Sequence, residues 1–272
     1  MYSIYLTVGG MPEVVASHLS DGDPARVRKL QQDLVQLYEN DIVKYNGEID
    51  AAKILAVLRS VVPQLAKENS KFIYGAIREG ARGRGYEEAI EWLVSARMVR
   101  RVRNLDAIEY PLSAHDVRNA FKLYLNDTGL LASMMSEDVA HAILTGDVRT
   151  NRGSVIENAV ASALESKGHR LYYFSSKNFE IDFITAMRGA VAAIEVKSGN
   201  NRRSKSLNSM KEKYGTKRRM KFEITDIAVT EDGVEHYPLF CCQFLDSLYE
   251  PYGTVSDMPD AGEVNDLLRK AS

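Results

Sequence analysis

The sequence has few of the features that mark secreted or membrane proteins. Its 272 residues include only two cysteines, which are adjacent at Cys241 and Cys242 and are therefore unsuited to a disulfide framework. No stretch reads as a secretory signal, and no apolar run reaches the ~20 residues that span a bilayer. We expect buried thiols in a cytoplasmic protein that does not associate with membranes.

The sequence also lacks the features that would assign a function directly. A net charge of −2 gives no overall attraction to nucleic acid, so any such contact needs local basic patches. The histidines are scattered without the spacing of zinc ligands, and no Gly-x-Ser-x-Gly element indicates a serine hydrolase. No Gly-Lys-Ser/Thr tripeptide of a P-loop is present, and we expect no ATPase activity from this chain alone.

A set of charged residues on two consecutive strand-like runs is the most informative feature present. Asp182 lies in the first run, and Glu195 and Lys197 lie two residues apart in the second. Side chains i and i+2 of a strand project from the same face, so Glu195 and Lys197 are expected to project together. The break at 187–189 predicts a hairpin that brings Asp182 close to them.

These residue types indicate metal-assisted hydrolysis of a phosphodiester. Mg²⁺ prefers a site with few carboxylates and several waters, and it can activate a water for attack. Asp182 and Glu195 are the candidate ligands for Mg²⁺ or Mn²⁺, and Glu157 on a predicted helix over 153–168 can lean toward the same site. An alternative stays open, in which the charges form cross-strand ion pairs on a solvated sheet face.

The order of these elements resembles the α-β-β-β-α-β core of the PD-(D/E)XK nuclease superfamily, with a further helix predicted at 206–214 and a strand at 221–229. The resemblance implies that Asp182 and Glu195 ligate the metal. It also implies that Lys197 positions water or stabilises charge, and that Glu157 helps to hold the metal or its waters. All four are then candidate catalytic residues.

A wider resemblance covers residues 5–245. The segments YLTVGGMPEVV at 5–15, DIVKY at 41–45, KLYLNDTGLL at 122–131 and the block 153–199 resemble a bacterial and archaeal AAA-type ATPase family. Members carry an ATPase domain followed by a C-terminal domain of unknown function with the nuclease-like core. The resemblance implies that this chain corresponds to the C-terminal portion, with the ATPase domain or another protein as its partner.

The N-terminal half has the periodicity of helices. Apolar stripes predict helices at 23–39, 51–61 and 86–96, followed by an arginine-rich strand at 98–102. This succession resembles a winged helix, which either contacts DNA phosphates or serves as a packing module. The predicted fold class is α+β, with a winged-helix-like N-terminal half and a PD-(D/E)XK restriction-endonuclease-like α/β core. Its parts are a helical lid-like segment (1–47), a winged-helix-like domain (48–115), the nuclease-like domain (116–250) and a peripheral tail (251–272).

A second basic cluster follows Lys197 and is the better candidate for contact with DNA or RNA. Its predicted contacts are Arg202, Arg203, Lys205, Lys217, Arg218 and Arg219. Two functions are consistent with the whole sequence. The first is metal-dependent phosphodiester hydrolysis on nucleic acid. The alternative is a non-catalytic module that binds nucleic acid or protein and regulates an ATPase.

Overall fold

The computed structural model describes residues 2–67, 70–135, 153–187, 189–199, 204–223 and 227–245. The architecture is mixed α+β with a mixed sheet, which agrees with the predicted class. The chain divides into two compact units, of which the first contains residues 1–103 and 117–162 and the second contains residues 104–116 and 163–272. Within the described ranges, no helix has the length and apolar content needed to cross a bilayer.

The first unit is mainly helical. Its elements are α1 (Tyr2–Val8), α2 (Pro12–Asp21), α3 (Pro24–Tyr45), α4 (Glu48–Leu65), α5 (Glu87–Ser95), β1 (Val99–Leu105), β2 (Asp116–Leu125), α6 (Thr128–Met134) and α7 (Gly153–Ser166). The division between the units falls inside β1, β2 and α7. The helices predicted at 23–39, 51–61, 86–96 and 153–168 are confirmed as α3, α4, α5 and α7. The predicted boundaries at 47 and 115 do not separate the compact units, and the predicted tail from 251 onward lies outside the described residues.

Local chemistry sets the ends of these helices. The Asp23 carboxylate accepts a hydrogen bond of 2.9 Å from the Ala25 N–H, and Pro24 occupies the first turn of α3. A proline at this position costs no intrahelical hydrogen bond, because the first N–H groups of a helix have no intrahelical partner. Gly22 ends α2 in the left-handed region with φ +66°, where glycine is not strained.

Asp127 joins the start of α6 to the turn between α1 and α2. Its Oδ1 accepts a hydrogen bond of 2.9 Å from the Leu130 N–H, which caps α6. Its Oδ2 accepts one of 2.7 Å from the Gly10 N–H. The neighbouring Gly9 has φ +76°, and a Cβ there would lie 2.2 Å from Asp127 Oδ1. Gly9 is therefore required by the close approach of this carboxylate and by its left-handed backbone.

Gln31 of α3 completes this junction. Its side-chain amide is buried and donates to the carbonyls of Thr7 at 2.7 Å and Val8 at 3.1 Å, which lack partners at the end of α1. On α6, a Cβ at Gly129 would lie 2.3 Å from the Val8 carbonyl oxygen. Helices α1, α3 and α6 pack this closely because residue 129 has no side chain.

The second unit contains most of the sheet. Its elements are β3 (Tyr172–Ser175), β4 (Glu180–Met187), β5 (Ala190–Val196), α8 (Lys205–Tyr214), β6 (Arg218–Glu223), β7 (Ala228–Val229) and β8 (Glu235–Pro238). The strands are neighbours in the order β3-β4-β5-β6-β8-β7. The helix predicted at 206–214 is confirmed as α8. The strand predicted at 221–229 begins earlier, at Arg218, and its range contains parts of two strands, β6 and β7.

Pairing within this unit changes from antiparallel to parallel at β5. Strands β4 and β5 are antiparallel, as predicted for a hairpin, whereas β5 pairs with β6, and β6 with β8, in parallel. The connection from β5 to β6 contains α8, as a parallel crossover requires. A buried apolar cluster fills the space beneath α8 and includes Leu207, Met210, Ile184, Ala193 and Phe174.

We expect Gly129→Ala to destabilise the first unit by about 2 kcal/mol, because the added methyl must displace the backbone at Val8. Gly75→Ala is the matched control, since a Cβ at that position meets no atom within 4 Å. Urea unfolding followed by circular dichroism measures both variants. Equal unfolding midpoints for the two would contradict the close packing of α1, α3 and α6.

Candidate functional site

Asp182 on β4 contacts the end of β5. Its Oδ2 accepts a hydrogen bond of 2.7 Å from the Val196 N–H, which belongs to the peptide that follows Glu195. The antiparallel register places Phe183 opposite Ile194, so Asp182 lies level with the last residues of β5. The hairpin thus holds one carboxylate against the backbone of the Glu-x-Lys segment.

Glu195 and Lys197 form an ion pair at the end of β5. The Lys197 Nζ lies 3.1 Å from the Glu195 Oε1, and the Lys197 side chain is 35% exposed. Glu195 itself is only 5% exposed. Its other oxygen, Oε2, is buried and has no hydrogen-bond partner among the described residues. The pair therefore presents an ammonium group toward solvent and one buried carboxylate oxygen without a donor.

Strands β6 and β8 add three ionisable residues to the same face. The register pairs Glu195 with Lys221, and Lys221 with His236, and register partners project from one face of a sheet. Glu223 shares that face because it lies two residues after Lys221. We call Glu195, Lys197, Lys221, Glu223 and His236 the polar row.

Glu223 is the central member of the buried part of the polar row. The Lys221 Nζ lies 3.1 Å from its Oε2, and the His236 Nδ1 lies 2.5 Å from its Oε1. Lys221, Glu223 and His236 are all buried. Sequence reasoning missed this group, although Lys221-x-Glu223 has the two-residue spacing of Glu195-x-Lys197 and could have been found by it.

Glu157 lies on α7 in the first unit. Its Oε1 accepts hydrogen bonds from the Lys122 Nζ, at 3.1 Å, and from the Tyr124 hydroxyl. Both donors are buried residues of β2. The adjacent Asn158 accepts a hydrogen bond of 2.8 Å from the Leu125 N–H. The KLYLNDTGLL element and the helical carboxylate, considered separately in the sequence, form one network in the structure.

The carboxylates of the second unit fit a site with few protein ligands. No group of three or more His, Cys, Asp and Glu side chains is placed to hold a metal ion in the described part of the chain, which includes Glu157, Asp182 and Glu195. A closed, fully protein-ligated site of the zinc type is thus absent from these ranges. Mg²⁺ is instead held by one or two carboxylates and keeps several waters. The unpartnered Oε2 of Glu195 and the nearby Asp182 carboxylate are compatible with that donor set.

The predicted basic contacts differ in their access to solvent. Arg202 and Arg203 lie outside the described residues. Lys205 and Lys217 are exposed and Arg218 is half-buried. Lys205 and Lys217 are therefore the described members of the cluster that are open to a phosphate, whereas Nε and Nη2 of Arg218 are buried.

Arg219 has a structural role. It is 2% exposed, and its guanidinium donates to Asn208 Oδ1 at 2.6 Å and to the Asp232 carbonyl oxygen. Asn208 in turn donates to the Asp232 carboxylate at 2.7 Å. Arg219 therefore ties α8 to the turn before β8, and its donors are directed into the protein.

The arginines near β1 are also engaged within the first unit. Arg101 has a side chain only 5% exposed, and it contacts Glu87 at 2.6 Å and Glu91 at 2.8 Å. Arg100 donates to the Leu125 carbonyl at 2.7 Å. These contacts favour the packing role over a phosphate-binding face for the arginines of β1.

Cys241 and Cys242 form no disulfide and are both buried, which confirms the expectation of buried thiols. Burial raises the pKa of Cys241 to about 11. The thiol is therefore protonated at neutral pH and is a poor nucleophile.

Comparisons with known proteins assign a family to the chain. The family described as Domain of unknown function (DUF8612) matches residues 1–140, more than half of the chain, and the chain belongs to this family. The Domain of unknown function (DUF4143) matches residues 152–241 and is known to occur with AAA-type ATPases. The predicted association of the C-terminal region with such ATPases is confirmed at the level of this domain. No curated protein matches the chain.

A solved structure also resembles the chain. The crystal structure of protein VC1899 from Vibrio cholerae is 14% identical, with a TM-score of 0.24. The match covers 80% of this chain and 55% of that one. The chain thus corresponds to about half the length of that protein.

We expect Asp232→Asn to lower the free energy of unfolding of the second unit at neutral pH. We also expect that free energy to fall less steeply in acid than in the wild type. The hydrogen bond from Thr230, followed by those from Asn208 and the Val234 N–H and by the charge of Arg219, outweighs partial burial and holds the pKa of Asp232 below its usual value. The unfolded chain therefore binds more protons in acid, and the stabilisation is lost as pH falls below about 4.

Urea unfolding between about pH 7 and pH 3 measures this effect. Glu231→Gln, which removes the adjacent exposed carboxylate, is the control. An acid dependence in Asp232→Asn as steep as in the wild type would contradict the assignment.

Proposed function

We propose that the chain is a divalent-cation-dependent phosphodiesterase acting on nucleic acid and that it works with an AAA-type ATPase domain. Asp182 and Glu195 would hold Mg²⁺ or Mn²⁺, and Lys197 would act on the attacking water or on the phosphate. The second unit would then be a nuclease-like core of the PD-(D/E)XK type.

The observation that carries this proposal is the arrangement at the end of β5. The Asp182 carboxylate accepts a hydrogen bond from the peptide that follows Glu195, and one buried oxygen of Glu195 has no donor among the residues that the structure describes. A buried carboxylate oxygen with no partner costs free energy, which a bound cation would recover. A purely structural site would be more stable with that oxygen paired.

The residues at the end of β5 would have different roles in hydrolysis. A bound Mg²⁺ would polarise a phosphoryl oxygen and lower the pKa of a ligated water. Lys197 is held through Glu195 Oε1 and is exposed enough to donate hydrogen bonds to a phosphate or to orient a water. As an ammonium ion it stabilises the negative charge that develops on the phosphorus oxygens.

The nucleic-acid part of the proposal rests on the basic residues that follow this site. Lys205 and Lys217 are exposed on α8 and on the turn after it, where contacts to phosphates depend on charge and not on sequence. The assisting role of Glu157 stays a prediction, because its Oε1 is occupied by Lys122 and Tyr124.

A second candidate function is a non-catalytic module that binds nucleic acid or protein and regulates an ATPase. The observation that favours it is that the carboxylates have partners within the protein. Glu195 Oε1 is paired with Lys197, and Glu157 is paired with Lys122. In this case the polar row is an ion-pair network, and nucleic acid would bind without being cleaved.

We expect Asp182→Asn to weaken Mn²⁺ binding at least tenfold and cleavage of labelled DNA and RNA at least about 100-fold, because a ligand and its charge are lost. Lys197→Met should retain Mn²⁺ binding and lose cleavage, since lysine is not a ligand. Titration calorimetry and a gel-based cleavage assay measure the two effects.

Glu231→Gln is the matched control, because Glu231 is an exposed acid of the same unit and should be neutral in both assays. Cleavage by Asp182→Asn at the wild-type rate would reject the active site. Binding of nucleic acid by the wild type without any cation-dependent cleavage would support the non-catalytic alternative.

A further inference from the structure

Lys221 is the register partner of Glu195, yet its ammonium group pairs with a different acid. The parallel register places Lys221 beside Glu195 on the same face of the sheet, at the ~4.8 Å separation of neighbouring strands. The Lys221 Nζ lies 3.1 Å from the Glu223 Oε2. Glu195 has an ion pair with Lys197, and its Oε2 has no hydrogen-bond partner in the part of the chain that the structure describes.

Glu223 is fixed in the position that holds Lys221. His236 Nδ1 lies 2.5 Å from the Glu223 Oε1, so one carboxylate oxygen is bound by the imidazole and the other faces the ammonium. Glu223 is 1% exposed and Lys221 is 0% exposed. In a buried site a charge that loses its partner takes the nearest alternative, because water is not available to solvate it.

The register places Lys221 beside Glu195, whose Oε2 has no hydrogen bond to a described residue, so Glu195 is the acid of the polar row that Lys221 would reach if Glu223 lost its charge. An ammonium group on Glu195 Oε2 would occupy the position that a cation needs and would repel the cation directly. By pairing with Lys221, Glu223 therefore leaves the Oε2 of Glu195 on the neighbouring strand available to a cation.

We propose that Glu223 and His236 are positioning residues that withhold Lys221 from Glu195 and so keep Glu195 Oε2 available as a cation ligand. This inference rests on the proposed function. It assigns to Glu223 on β6 and His236 on β8 the role of keeping the proposed ligand on β5, Glu195, accessible to the cation. Neither Glu223 nor His236 needs to touch the cation or the substrate.

The test is a pair of variants measured by Mn²⁺ titration calorimetry. Glu223→Gln removes the charge that holds Lys221, so Lys221 moves to Glu195 and Mn²⁺ binding weakens at least tenfold. In Lys221→Met/Glu223→Gln the competing ammonium is absent, and binding returns to within about threefold of the wild type. A double variant that binds as weakly as Glu223→Gln would overturn the proposal, as would a Glu223→Gln variant that binds like the wild type.

Unfolding experiments without metal separate this inference from the proposed function. The coupling between Lys221 and Glu195 is measured with Lys221→Met, Glu195→Gln and their double variant, once in the natural background and once with Glu223→Gln. In the natural background we expect the effects of Lys221→Met and Glu195→Gln on the unfolding midpoint to be additive. In the Glu223→Gln background we expect a stabilising coupling between Lys221 and Glu195. Each variant's cooperative transition also shows whether it folds.

The combined outcomes are distinct. Coupling that appears only with Glu223→Gln, in a protein that does not bind Mn²⁺, would support the exchange of Lys221 and reject the cation site. Equal coupling in both backgrounds would overturn the inference whatever the metal result. Lys177→Met/Glu231→Gln, which removes one exposed charge of each sign from the same unit, is the control and should leave both measurements unchanged.

Discussion

Side chains two residues apart on a strand project from the same face of a sheet, and the second unit is organised by this alternation. Along β5, Glu195 is followed on its face by Lys197, while Ile194 projects from the opposite face. The parallel register carries the same separation onto β6, where Lys221 and Glu223 share the charged face and Met220 and Phe222 share the apolar one. A shift of one residue in this register would exchange the two faces, so the charged side chains would take the positions of the apolar ones.

The alternation brings charges into a buried region, where ion pairs are retained at a cost in desolvation. Apolar residues of similar size would often be as stable or more stable at such positions. Among the described residues, Glu195 Oε2 is the carboxylate oxygen of the polar row that has neither a hydrogen bond nor an ion pair, which is unfavourable for stability alone. The proposed role in binding a cation would explain why this oxygen is left without a partner. The first unit uses its buried polar groups differently, since Asp127, Gln31 and Glu157 each have partners that tie helices and strands together.

Local periodicity was sufficient to predict α3, α4, α5, α7 and α8 and the β4–β5 hairpin, because each of these depends on residues close in sequence. It also identified Asp182, Glu195 and Lys197, whose spacing is local to that hairpin. It did not identify Lys221, Glu223 and His236 as neighbours of Glu195. Their proximity depends on the parallel register across α8, which the spacing of residues along the chain does not encode.

Other differences have the same physical origin. The binding of Glu157 by Lys122 and Tyr124 joins residues more than thirty positions apart, and periodicity contains no information about such a contact. Arg219 reads as one of several adjacent basic residues, but strand alternation directs it inward to Asn208. Arg219 shares its face of β6 with Lys221 and Glu223, and all three are buried.

The most direct test of this account is anomalous diffraction at the manganese edge from crystals equilibrated with Mn²⁺. The account predicts an anomalous peak within coordination distance of Asp182 and Glu195 Oε2, with Lys221 still paired to Glu223. A fully ordered site without a peak, with Lys221 or a water on Glu195 Oε2, would contradict it.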